Sequence, residues 1–190
     1  MGLTGRTAGT TRASRLTRLA FLGAVGSAIY ALEYALPMSH LVPGAKPGLA
    51  NLATMLALVL GGPADALFLA VARVMFGHVL MGSFLSINHA LGLSGSVVAA
   101  LVMLVMLVRG RGDAGRGSLL RAGVAGGIAH SLARVVMAGW LLGQPLGAAD
   151  YVYPALLGAV VGALVGAATA GCCRRIIAAR MGGLTNWRSA

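Results

Sequence analysis

Positive charge in this chain is gathered into three short stretches separated by long apolar runs, and this pattern constrains the fold more than any motif does. Twelve of the fifteen basic residues lie in these clusters. Arg6, Arg12, Arg15 and Arg18 lead the chain, Arg109, Arg111, Arg116 and Arg121 flank a Gly-rich break, and Arg174, Arg175, Arg180 and Arg188 close it. Arg and Lys mark the cytoplasmic flank of membrane spans, so the clusters predict three cytoplasmic segments with an even number of spans between neighbours. Hydrophobic residues make up 58% of the 190 and charged residues only 10%, with a mean hydropathy of +0.86. Such a composition excludes a soluble globular domain. The formal charge of +11 then reads as topological anchoring and attraction to anionic lipid rather than nucleic-acid binding. Aromatic residues, at 5%, offer no stacking platform for single-stranded nucleic acid.

Six spans fit the apolar runs, over 19–36, 48–62, 63–81, 90–108, 119–143 and 151–172, judged against about 20 apolar residues per spanning helix. With the N-terminus inside, all three basic clusters are cytoplasmic. The predicted outer loops, 37–47, 82–89 and 144–150, then hold one basic residue, Lys46. The expected fold class is an all-α integral membrane protein. It would be a six-transmembrane-helix bundle with both termini cytoplasmic, multi-pass in a bacterial cytoplasmic (inner) membrane. Residues 1–18 would form a basic N-terminal segment, 19–172 the transmembrane domain and 173–190 a basic tail. An Arg-rich head before an apolar run imitates a signal peptide, but the further spans make an uncleaved first helix the expectation. The second span is the shortest, since fifteen residues rise only about 22 Å. Gly61-Gly62-Pro63 follows it with no polar loop; Pro63 suits a first helical position and Asp65 a first turn facing the helix dipole.

Two apolar runs carry a lone arginine near their middle, Arg73 and Arg134. An arginine at mid-bilayer costs about 2.5–3.5 kcal/mol on insertion scales, so these two are candidate functional residues. Glu33, toward the outer end of the first span, is the natural counter-ion and orienter for one of them, in a pair that either serves a ligand or only fixes helix packing. The other charge, with Lys46 above it, favours a carboxylate or phosphate ligand. His130 shares a helix face with Arg134, four residues on, whereas His78 points elsewhere. Both histidines read as hydrogen-bonded packing residues. The outer turn from Pro37 to Asn51, with Ser86, Asn88 and His89 of the next outer loop, would form a lid and rim. Lys46, Asn51, Asn88 and His89 are its candidate ligand contacts.

Small residues recur at helical spacing. Gly158, Gly162, Gly166 and Ala170 read as packing within the bundle, and Ala20, Ala24 and Ala28 as packing or as a docking stripe for a partner subunit. Ala72-Arg73-Val74 with Gly82 is echoed by Ala133-Arg134-Val135 with Gly143, a weak trace of a duplicated unit. The adjacent Cys172 and Cys173 read as small buried helix residues. No His, Cys, Asp and Glu set has metal spacing. There is no P-loop, nucleophile elbow or pair of carboxylates. The expectation is no enzyme, no catalytic residue and no cofactor.

The segment Pro43-Gly44-Ala45-Lys46-Pro47-Gly48-Leu49-Ala50-Asn51, following Glu33 and preceding Arg73 and a Ser-rich turn at 83–86, resembles the Gx transporter family. Its members are often labelled heptaprenyl diphosphate synthase component I. The resemblance covers roughly 20–172, with Pro47 and Asn88-His89-Ala90 departing from the usual pattern. In size and layout the family is similar to the substrate-binding S components of energy-coupling-factor transporters. The resemblance therefore implies an S-component-like protein that binds a small anionic or amphiphilic molecule from the extracytoplasmic side and aids its uptake. Ala20, Ala24 and Ala28 would dock a transmembrane coupling subunit with its ATPases. The alternative is a non-catalytic membrane subunit of a prenyl-diphosphate, quinone-related or flavin-dependent electron-transfer assembly, with a flavin-binding partner. A catalytic prenyl synthase is excluded by its chemistry. Such enzymes hold magnesium on clustered aspartates, and the four acids here, Glu33, Asp65, Asp113 and Asp150, are far apart in sequence.

Overall fold

The computed structural model describes residues 5–35, 48–109, 116–143, 145 and 147–186. Among the described residues there are six α-helices and no strand. They are α1 Gly5–Ala35, α2 Asn51–Gly61, α3 Pro63–Leu80, α4 Ile87–Arg109, α5 Arg116–Leu142 and α6 Ala148–Asn186. Each span read from the sequence corresponds to one helix. Five contain segments long and apolar enough to cross a membrane, at Arg12–Glu33, Pro63–Leu80, Ile87–Arg109, Gly117–Leu142 and Ala149–Cys173. The helices outrun these segments: α1 begins within the basic head and α6 continues well past Cys173.

The second helix differs from expectation. A span over 48–62 was expected, but α2 has only 11 residues, a rise of about 16 Å, against a hydrocarbon core of about 30 Å. Its ends explain this. Gly48 has φ +82° and Gly62 φ +96°, a backbone region open to glycine at little steric cost. Gly62 terminates α2 by donating its N–H to the carbonyls of Ala57 and Leu58, at 3.2 and 3.0 Å. Pro63, with no N–H to satisfy, then starts α3 in the next residue. The last two helices extend the expected boundaries, and α4 starts at Ile87 because Ser86 caps it. The Ser86 carbonyl and Oγ both accept from the His89 N–H, at 3.0 and 3.3 Å.

In lipid there is little hydrophobic drive between helices, so close packing must hold the bundle together. The seam between α5 and α6 does this with glycine. A Cβ at Gly123 would sit 2.3 Å from the Gly162 carbonyl oxygen, and one at Gly127 would sit 2.0 Å from that of Gly158. These two backbones touch. The packing reading of Gly158, Gly162 and Gly166 is borne out, and the facing residues Gly123 and Gly127, also four apart, complete it. Around this pair, α4 packs on α5 and α3, α3 on α1 and α2, and α2 also reaches α6.

The exterior is apolar, with Phe21, Leu32, Phe68, Phe76, Trp140 and Val160 all more than half exposed. The interior is mainly apolar but also encloses polar and charged side chains. Arg73 and Arg134, at 0% and 1% exposure, head the fully buried side chains by volume. The helix directions also bring the basic residues together. The start of α1, the end of α4, the start of α5 and the late part of α6 share one end of the bundle, carrying Arg12, Arg15, Arg18, Arg109, Arg121 and Arg175.

Candidate functional site

Of the two stray arginines, Arg73 bonds to the first turn of α2, and Arg134 lies one helical turn from His130, which packs beside that turn. Arg73, midway along α3, reaches α2 and α4. Its Nε donates to Thr54 Oγ1 at 3.1 Å, and its Nη2 donates to Asn51 Oδ1 and to Ser96 Oγ, the latter at 3.0 Å. Its Nη1 is enclosed and has no hydrogen-bond acceptor among the described residues. The aliphatic part of Arg73 lies against Gly26 of α1, where a Cβ would come within 3.6 Å of Arg73 Cδ.

Arg134 on α5 packs against Gly95 of α4. A Cβ at Gly95 would meet Arg134 Cγ at 2.8 Å and His130 Cε1 at 3.0 Å, so this glycine makes room for both side chains. The shared face expected for His130 and Arg134 is therefore observed. The same His130 ring faces Gly48, where a Cβ would be 3.1 Å from His130 Cδ2 and 3.2 Å from Asn51 Nδ2. Tyr30 of α1 interacts with Arg134 through its hydroxyl. The sequence from Arg134 through His130, Gly48 and Asn51 to Arg73 is thus a continuous buried polar layer.

Glu33 enters this layer in a way the sequence does not announce. Its Oε1 accepts the Leu49 N–H and its Oε2 accepts the Ala50 N–H at 3.5 Å. The carboxylate therefore sits at the start of α2, where free amide groups and the helix dipole favour negative charge. It is also within electrostatic range of both guanidinium groups. The expected role as counter-ion to one arginine becomes a position between both arginines and a helix N-terminus.

A second set of rings adjoins the layer. The Tyr30 hydroxyl and His78 Nε2 are hydrogen-bonded at 2.8 Å, and His78 Nδ1 pairs with Ser83 Oγ at 2.7 Å. His78 is thus the hydrogen-bonded packing residue that was expected. His89, buried at the start of α4, stacks edge-on with His78 and Phe84 at centroid distances of 5.0 Å. Gly92 lets Tyr30 in, since a Cβ there would be 2.1 Å from its hydroxyl oxygen. Of the rim residues read from the sequence, His89 joins this ring set beside the site, and Asn88 is exposed on the first turn of α4. Lys46 lies outside the described residues. Tyr30, Thr54 and Ser96 are the members that sequence reading missed. Their signal was a polar group facing a glycine or an arginine across helices, which one-dimensional spacing does not display.

At the basic end a separate ionic group forms. Asp65, in the first turn of α3, accepts from Arg15 Nε at 2.8 Å and from Arg15 Nη2, while Arg18 Nη2 lies 3.3 Å from its other oxygen. The first-turn position of Asp65 was expected and the arginine partners were not. Among the described residues no three His, Cys, Asp or Glu side chains gather to hold a metal ion.

An all-helical bundle with an apolar exterior and two arginines enclosed within it is a multi-pass membrane protein that keeps charge in its interior. The chain belongs to the heptaprenyl diphosphate synthase component I family, whose model matches residues 22–172. No curated protein and no solved structure matches it.

Proposed function

We propose that this protein is a membrane transport component that binds a small anionic or amphiphilic molecule from the extracytoplasmic side and aids its uptake. One observation carries this reading: an enclosed surplus of positive charge. Among the described residues three acids are present, Glu33, Asp65 and Asp150. Asp65 is engaged by Arg15 and Arg18 at the basic end. Asp150 accepts the Gly147 N–H at 2.8 Å at the start of α6. Glu33 alone shares the interior with Arg73 and Arg134, so the layer carries one positive charge more than it carries negative. An anion supplies the missing charge, and Arg73 Nη1 supplies a donor for it. Carboxylate and phosphate are the groups that guanidinium forks match.

In this reading Arg73 and Arg134 hold the anion, Glu33 orients them and Asn51 positions Arg73. Asn88 and His89 would line the entrance, and Lys46, outside the described residues, is the further contact proposed from the sequence. The concentration of arginine at the opposite end supports a cytoplasmic position for that end, with the layer toward the outside, as the positive-inside rule expects. The bundle would then cross a bacterial cytoplasmic membrane with both termini inside. No step of bond chemistry is assigned to the chain.

Ala20, Ala24 and Ala28 are all exposed on α1, which supports docking of a coupling subunit there. The family description favours a second reading, in which the chain is a non-catalytic membrane subunit of a prenyl-diphosphate or quinone-related assembly and the same stripe anchors a different partner. Native mass spectrometry of the gently solubilised protein, beside Arg73→Ala and Arg134→Ala, separates the two. A small molecule retained by the wild type and lost from both variants supports the transport component. An empty wild-type protein that carries only co-purified subunits supports the anchor.

A further inference from the structure

The short second helix leaves a groove at the basic end, outside the arginine layer. α2 packs on both α1 and α6 and stops at Gly61, while α1 and α6 continue alongside. Arg18, Phe21 and Leu22 of α1 form one wall, and Cys172 and Arg175 of α6 form the other. Leu56 and Leu60 of α2 form the floor. The groove has a volume of about 460 Å³, within the range of small-molecule sites. Its lining is almost wholly apolar, so Arg18 and Arg175 border it chiefly through their aliphatic stems, with the Arg18 guanidinium turned to Asp65 at the basic end.

Arg18 is poorly supplied with acceptors. Asp65 Oδ1 takes two hydrogen bonds from Arg15, and Arg18 has only the 3.3 Å contact to Oδ2. Arg18 Nε is shielded from solvent and has no acceptor among the described residues. Arg175 is exposed. We infer that this groove binds an anionic phospholipid of the bilayer leaflet on the basic side. The phosphate would lie between Arg18 and Arg175, and the glycerol and first methylenes along Leu60, Leu56 and Cys172. The acyl chains would leave over Phe21, which is 67% exposed toward lipid. Charge complementarity selects the head group. Depth and apolar floor select a lipid over a free anion or an acidic peptide.

Full-length protein in nanodiscs of phosphatidylcholine containing a minor fraction of phosphatidylglycerol tests this, with bound lipid measured by native mass spectrometry after release. Wild-type protein is expected to be enriched in phosphatidylglycerol over the disc composition. Arg175→Gln is expected to lower that affinity about fivefold, as one lost basic contact at head-group level does. Arg12→Gln, a surface arginine outside the groove, is expected to leave it unchanged. Leu60→Trp, which fills the floor and keeps both arginines, is expected to abolish enrichment, and it serves as the test if Arg175→Gln does not fold. Equal loss in Arg12→Gln and Arg175→Gln overturns the site in favour of diffuse surface attraction. Competition by inorganic phosphate as effective as that by lipid overturns the lipid, as does a protein subunit found seated there with no lipid retained.

Discussion

Replacing Arg73 by methionine separates a ligand-binding arginine from a packing lock by the size of the stability change. Three hydrogen bonds would be lost, to Thr54, Asn51 and Ser96. Hydrogen bonds between membrane helices average about 0.6 kcal/mol each, so this loss is about 2 kcal/mol. The Asn51 amide oxygen would be left enclosed without its donor, at about 1–2 kcal/mol. Against this, a cation would leave the interior, relieving about 2.5–3.5 kcal/mol of the insertion cost, and methionine would keep most of the packing against Gly26. The net destabilisation is therefore about 1.5 kcal/mol or less. Were Arg73 instead locked in a tight buried ion pair, removing it would strand a charge and cost about 3–5 kcal/mol. Reversible unfolding in mixed micelles, titrated with sodium dodecyl sulfate and followed by tryptophan fluorescence, measures the difference. A loss above about 3 kcal/mol refutes the reasoning, and Arg73 is then a structural lock. A small loss together with abolished ligand retention is the expected result.

Gly162→Leu should break the seam between α5 and α6, because even a Cβ would lie 2.2 Å from the Gly123 carbonyl oxygen. Loss of the monodisperse size-exclusion peak checks it, and Gly171→Leu, where a Cβ meets nothing within 4 Å, should behave as wild type. Asp65→Asn should destabilise by about 1 kcal/mol, because Arg15 is largely exposed and its pair is screened. The gap from wild type should shrink with added salt, as unfolding at two ionic strengths would show. Tyr30→Phe should cost about 1 kcal/mol by releasing His78 Nε2. Gly92→Ala, which drives a methyl group into the Tyr30 hydroxyl, should cost more, and both are checked by the same unfolding assay.

The helices were legible because each is longer than a turn of apolar sequence needs to be and is flanked by charge or by Gly and Pro. α2 was the exception in length, since an apolar run from Gly48 to Gly62 does not reveal that glycines at both ends have positive φ. Arg73 and Arg134 were visible as charges out of place. What they face was not visible. Ser96 is one hydroxyl in a long apolar helix, and Gly92 and Gly95 resemble any helix glycines until Tyr30 and Arg134 occupy their empty sides. Pairing across helices depends on rotation and register, which a single sequence with no partner to compare does not encode locally. The same ignorance of register hid the ion pairs of Asp65, fifty residues from Arg15.

Two buried arginines face one acid, Glu33, so the interior charge stays unbalanced wherever that carboxylate points. Here the carboxylate accepts amide N–H groups at Leu49 and Ala50, so part of its charge stabilises the N-terminus of a helix that is too short to be held by length alone. Asn51, one residue further on, is thereby fixed as the acceptor for Arg73, and Gly48, just before, as the surface against which His130 rests. One acid thus sets the start of α2, and through it the spacing of both arginines. Glu33→Gln should accordingly disturb more than a charge balance. A neutral amide still accepts one N–H, but it donates where the second oxygen accepted, and it no longer answers the helix dipole. The expected outcome is a loosened α2, read as faster amide hydrogen exchange at Ala53 and Thr54 with little change in α5 and α6. Unchanged exchange in α2 would show that the turn holds itself and that Glu33 serves the arginines alone.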